Sequence, residues 1–205
     1  EAYDVEMKSD FFPSIYQFYF IFKRLILKLV SYARKKTRIC ELIINRSMYI
    51  RKVVKLLNTK QYEICFLCKG NIIRSPFAAK YYNIRSLHPS FSSGLHNHAN
   101  RLPPINSVLT ANSFGIDLSR HTSSYLGDLN LSSKTKTIIF VMDVNQYQIL
   151  KYEWKYQNVF LLGLFNGRRS IEIKDPYVRA YDKKSYEKAY SVIKSCIDNL
   201  CTQIS

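Results

Sequence analysis

Three short runs of unbroken apolar residues constrain this fold more than anything else in the chain: "EICFLC" (63–68), "TIIFVM" (137–142) and "NVFLLG" (158–163). Each has the length of a strand and none alternates with polar residues, so each must be covered on both faces, as strands of a parallel sheet are. Between and after them lie stretches with helical spacing, about 76–87, 104–114, 144–153 and 182–204. Strands alternating with helices predict an α/β domain with a parallel sheet flanked by helices. In such sheets ligands bind beyond the carboxyl ends of the strands, and Cys68 stands at one of those ends.

Cys68 opens a short polar loop that leads into a helical pattern, "CKGNIIRSPFAAKYYN". Gly70 and Asn71 tolerate the tight turns that aim several backbone N–H groups at one centre. Ser75 reads as an N-cap and Pro76 as the first helical residue, which turns the positive end of the helix toward the loop. Both features favour a thiolate at Cys68 and the binding of phosphate. Arg74 adds a planar fork matched to two phosphoryl oxygens, and the Ser75 hydroxyl is placed to donate to the sulfur. The five cysteines (40, 65, 68, 196, 201) are odd in number and lack metal spacing, which points to a reducing compartment. Cys65 and Cys68 form C-x-x-C, but Cys65 lies inside the strand and reads as a packed core thiol. His96 and His98 flank Asn97 without a third ligand in view, so no metal is expected.

The string Cys68-Lys69-Gly70-Asn71-Ile72-Ile73-Arg74-Ser75 after a strand resembles the phosphate-binding loop of the low-molecular-weight protein tyrosine phosphatases. "SSGL" (92–95) is similar to that family's second strand end, "GIDLSRH" (115–121) to its Gly-Ile-Asp segment, "FVMD" (140–143) to its third strand and "KDPY" (174–177) to its acid loop. The resemblance covers residues 61–203 and implies a four-stranded parallel sheet flanked by helices, with residues 1–60 as a basic helical extension and 61–205 as the phosphatase domain. It further implies a double displacement in which Cys68 attacks phosphorus, Arg74 and the amides of residues 69–75 hold the phosphoryl oxygens, and Asp175 serves as general acid and then base. Asn71, Ser75, Ser92 and His121 would form a supporting hydrogen-bond network and Tyr177 would line the ring slot. No cofactor is required.

Departures from the family pattern narrow the expectation. Ile73 stands where many members carry a second cysteine, so the usual protective disulfide is not expected. Ser124 replaces a common Arg, and an ungapped count from Ser92 places His98 where an aromatic usually lines the pocket rim. A phosphoarginine phosphatase is the nearest rival, yet such relatives usually carry Thr where this chain has Ile72. An arsenate reductase would need resolving cysteines, and none lies between Cys68 and Cys196. A non-catalytic phosphotyrosine-binding scaffold would have no use for Cys68, Arg74 and Asp175 together. The substrate expected is a phosphotyrosine protein, with a tyrosine autokinase suggested by resemblance to bacterial members.

Residues 11–60 have no counterpart in the resemblance. Phe18, Ile21, Phe22, Leu25, Ile26 and Leu29 recur at helical spacing, as do Ile39, Leu42, Ile43, Ile50, Val53, Val54 and Leu57, which predicts two amphipathic helices. Twelve Lys or Arg against Glu41 alone give this block +11 of the formal +16. Two readings of its apolar faces stand level: an anionic membrane surface, or packing on the phosphatase domain. Nucleic acid is not expected as a partner. The apolar run of 11–22 is too short to span a bilayer, and the acidic start of the chain is unlike a signal peptide. The expected location is the cytoplasm, at the membrane periphery where the helices meet lipid.

Overall fold

The structure, a computed structural model, describes residues 11–129, 136–167, 170–179 and 182–204. Residues 1–10 of the N-terminal extension lie outside the described residues. The chain divides into two units, one ending at Glu41 and one running from Leu42 to Ser205.

The second unit is built on a four-stranded parallel sheet: β1 (Glu63–Cys68), β2 (Ser90–Gly94), β3 (Thr137–Val141) and β4 (Asn158–Leu161), in the order β2-β1-β3-β4. β1 lies between β2 and β3, and with helices over the sheet its residues from Ile64 to Cys68 are buried whichever face they point to, which is why the run carries no polar alternation. The chain leaves β1 for one neighbour, β2, and returns to the other side for β3. That reversal opens a crevice at the carboxyl end of β1.

Helices α3 (Arg74–Arg85), α4 (Ile105–Ser113), α5 (Val144–Gln148, continued by a π-helical turn Ile149–Glu153) and α6 (Lys183–Ile204) cover the sheet. Phe77 of α3 stacks on Tyr190 of α6 with ring centroids 4.0 Å apart, and Phe66 stacks on Phe140 across β1 and β3 at 5.3 Å. Tyr190 keeps its hydroxyl satisfied inside this apolar cluster through Ser107 Oγ, 2.6 Å away.

The two N-terminal helices form with a boundary that the periodicity did not reveal. α1 runs from Phe11 to Ile44 and α2 from Arg46 to Asn58, so the Ile39–Ile43 stripe continues the first helix and the chain breaks only at Asn45. α2 belongs to the second unit. Its Val53 and Leu57 are buried, and the helix packs on α6 and on the 3-10 turn Leu162–Phe165. No helix among the described residues is long and apolar enough to cross a membrane.

Candidate active site

Cys68 ends β1, and the loop 69–73 folds back over the carboxyl ends of β1 and β2 before α3 begins. The turn is made by Asn71, whose φ of +51° is the left-handed conformation that Asn accepts more readily than most side chains. Gly70 has no such backbone strain. Its missing side chain makes room for Arg101, whose Nη2 would lie 2.8 Å from an added Cβ and donates to Gly70 O at 2.9 Å. At Gly94 the approach is backbone on backbone: an added Cβ would stand 3.2 Å from Asn71 N and from Gly70 C.

Two donors converge on Cys68 Sγ, the Asn71 N–H at 3.3 Å and the Ser75 hydroxyl at 3.1 Å. Ser75 does not cap the helix. α3 starts one residue earlier, at Arg74, with Ile73 in the cap position, and the Ser75 hydroxyl is directed at the thiol instead.

Asn71 is fully buried and is the hub of the support. Its Nδ2 donates to Ser75 Oγ and to Ser92 Oγ, each at 2.9 Å, and its Oδ1 accepts the Ser124 N–H at 2.9 Å. Its carbonyl lies 2.7 Å from His121 Nε2, which therefore carries the proton. Burial pushes the His121 pKa below its ordinary value, against the opposing pull of the Asn71 carbonyl, and Lys80 lowers it further. Hydrogen bonds thus link Asn71 to Ser75, Ser92 and His121, and Ser124 joins them through its N–H and also through its hydroxyl, which donates to Ser92 O at 3.1 Å and lies 3.3 Å from Asn71 Oδ1.

Arg74 is 2% exposed. Its Nη1 donates to Ile173 O at 2.9 Å and lies 3.6 Å from Asp143 Oδ2, while Nη2 donates to Asp175 Oδ2 at 2.7 Å. Its Nε is buried and has no acceptor among the described residues. A buried guanidinium donor left unpaired costs stability, so the site is shaped for an acceptor at that position. Asp143 was not singled out in the sequence. It caps α5 through Gln146 N at 3.0 Å and presents its second oxygen toward Arg74.

Cys68, Lys69, Gly70, Ile72, Ile73 and Arg74 form the floor of a cleft of about 310 Å³ whose rim is His96, His98, Arg101, Asp175 and Tyr177. Asp175 is the one carboxylate in that lining, against the cationic or protonatable Lys69, His96, His98 and Arg101. Tyr177 is exposed, and its N–H donates to Asp175 Oδ1 at 3.2 Å, which ties the acid to the 3-10 turn Pro176–Arg179. Sequence reasoning missed Arg101, which belongs to no motif. No cluster of three metal-ligating side chains occurs among the described residues.

Residues 63–205 match the family model described as low molecular weight phosphotyrosine protein phosphatase. The chain belongs to that family. It is accordingly a phosphatase. Among solved structures this family member is similar to the tyrosine phosphatase amsI of Erwinia amylovora (21% identity, TM-score 0.58, 70% of this chain and 93% of that one). It is similar also to the YwlE arginine phosphatase of Geobacillus stearothermophilus (22%, 0.58, 70% and 92%) and to the tyrosine phosphatase Wzb of Escherichia coli K30 in complex with sulphate (18%, 0.58, 70% and 98%). Likeness at this level of identity establishes the fold. A search of curated proteins returned no match.

Proposed function

We propose that this phosphatase hydrolyses phosphotyrosine in a protein substrate by double displacement on Cys68. The observation that carries the reading is the convergence in one cleft of a thiol accepting two hydrogen bonds, a buried Arg74 with an unpaired Nε, and the Asp175 carboxylate. In the first step the sulfur attacks phosphorus, the P–O bond to the phenol breaks, and Asp175 supplies the proton that the leaving oxygen takes up. The loop amides and Arg74 take the negative charge of the equatorial oxygens. In the second step the Asp175 carboxylate removes a proton from water, the water oxygen bonds to phosphorus, and the S–P bond breaks to return the thiolate and release phosphate.

The cleft favours an aromatic leaving group. Ile72 in the floor and Tyr177 at the rim give it apolar surface against which a phenyl ring can lie. Arsenate reduction is disfavoured because Cys196, the first cysteine after Cys68, is fully buried and its thiol is pushed up to about 12 by that burial. The test is a comparison of initial rates on phosphotyrosine, phosphoserine and phosphoarginine peptides, with tyrosine autokinases as the first protein substrates to try. Phosphotyrosine should be preferred, and Cys68→Ser should lose turnover yet still bind phosphate. Faster hydrolysis of phosphoarginine, or Cys68→Ser turnover within about tenfold of the parent, short of the roughly 10²-fold at which the loss of a catalytic group begins to cost, would overturn it.

A further inference from the structure

The two N-terminal helices look alike in sequence and differ in the structure. α2 buries its apolar residues on the phosphatase unit, where Val53 and Leu57 are 1% and 3% exposed. α1 does not. Phe18, Phe22, Leu25, Ile26 and Leu29 are 74%, 62%, 52%, 42% and 59% exposed. At 3.6 residues per turn these five fall within an arc of about 100°. Lys23, Arg24, Lys28, Arg34, Lys35 and Arg38 fall outside that arc, interrupted on the polar side by Phe20 and Leu27, while Lys36 lies on the line of the arc about two turns beyond Leu29 and ends it.

We propose that α1 is an interfacial helix that lies on an anionic lipid surface with the Phe18–Leu29 arc in the acyl boundary. The arc holds phenyl rings and branched aliphatics without a hydrogen-bonding atom, which suits hydrocarbon. The cations at its flanks have stems long enough to reach back to headgroup phosphates. From Lys23 to Arg38 the helix carries seven Lys or Arg, and the first acid after them, Glu41, is paired with Arg38 at 2.5 Å. A second copy of the helix would therefore meet like charge with no acid to offset it, whereas an anionic bilayer supplies the missing counter-charge. Lys23, Arg24 and Lys28 break the apolar stretch, so the helix lies on the surface rather than through it. The inference is independent of the substrate assigned above.

Flotation of the full chain with phosphatidylcholine vesicles, with and without phosphatidylserine, tests the proposal. The parent should float with the anionic vesicles at low salt and be released as salt rises. The variant Phe22→Glu/Leu25→Glu/Leu29→Glu should lose at least about tenfold in partition, since each charged residue replaces a buried apolar one. Removing cations by Arg24→Gln/Lys28→Gln should weaken binding about fivefold per charge. All of these side chains are exposed, so melting temperature and hydrolysis of a small aryl phosphate should stay at parent values. The proposal is overturned if the parent stays in the buffer at low salt, or floats equally with neutral vesicles. It is equally overturned if the triple variant converts a dimer to a monomer by size-exclusion chromatography while no form binds vesicles, because the arc then serves a second copy.

Discussion

Replacing Asn71 by alanine tests the site at its hub. The substitution removes the bonds to Ser75 Oγ and Ser92 Oγ and strips the Ser124 N–H of its acceptor, all three at 2.9 Å and all around a fully buried residue. At about 1 kcal/mol per net hydrogen bond the loss is about 3 kcal/mol. The backbone adds to this, because φ at position 71 is +51° and a Cβ-bearing residue without an Asn-type side chain costs about 1–2 kcal/mol there. Asn71→Ala should therefore be about 4 kcal/mol less stable than the parent in urea unfolding. Asn71→Gly loses the same bonds without the conformational penalty and should fall between the two. Because Ser75 and the amide of residue 71 both contact Cys68 Sγ, the loosened loop should also lose on the order of 10²-fold in kcat/KM on an aryl phosphate, the usual cost of a 1 Å misplacement. An Asn71→Ala protein within about 1 kcal/mol of the parent, one ordinary hydrogen bond, would show that the network carries no load.

Asp175→Asn should slow hydrolysis of phosphotyrosine by roughly 10²–10⁴ and affect esters of strongly acidic phenols much less; equal losses on both ester types would remove it as the acid. His121 is held neutral by burial, so the unfolded chain binds its proton more readily than the folded one. Its contribution to stability is complete above its ordinary pKa of about 6.5 and declines as pH falls from there toward the lowered folded value, a slope that thermal melts should show and His121→Gln should flatten. Peroxide should drive Cys68 toward sulfinic acid without disulfide rescue, because Cys65 sits on the opposite face of β1, is fully buried, and has its pKa raised by that burial and then by Cys68 and Glu63. Recovery of activity by dithiothreitol after prolonged peroxide, lost in Cys65→Ala, would contradict that.

β1, β3 and β4 were legible because buried parallel strands have no polar face to confuse the pattern. β2, "SFSSG", was not: it lies at the sheet edge, and Ser92 and Ser93 there serve the loop rather than a core, so only the resemblance pointed to it. The cysteine loop was readable as far as the Ser75 hydroxyl that donates to the sulfur, but the second role read for Ser75, as the helix cap, falls to Ile73, because the spacing before Pro76 looks the same either way. Asp143 closes an apolar strand in "FVMD", a position where a lone carboxylate signals a site, yet its contact with Arg74 depends on how β3 meets β1. The fates of α1 and α2 could not be separated, since burial of Val53 and Leu57 is decided by α6, more than a hundred residues away.

The guanidinium of Arg74 is bound to the carboxylate of Asp175, the proposed acid, at 2.7 Å from its Oδ2. In the proposed cycle every oxyanion, substrate or product, has to displace that carboxylate before it can use the same nitrogen. The displacement penalty is common to both, so it leaves discrimination untouched and lowers the affinity for inorganic phosphate that an unopposed, desolvated arginine would otherwise hold tightly. Seen this way, the internal ion pair works as a spring that expels product, and an Asp175 variant should be the form of the enzyme most easily trapped with phosphate bound.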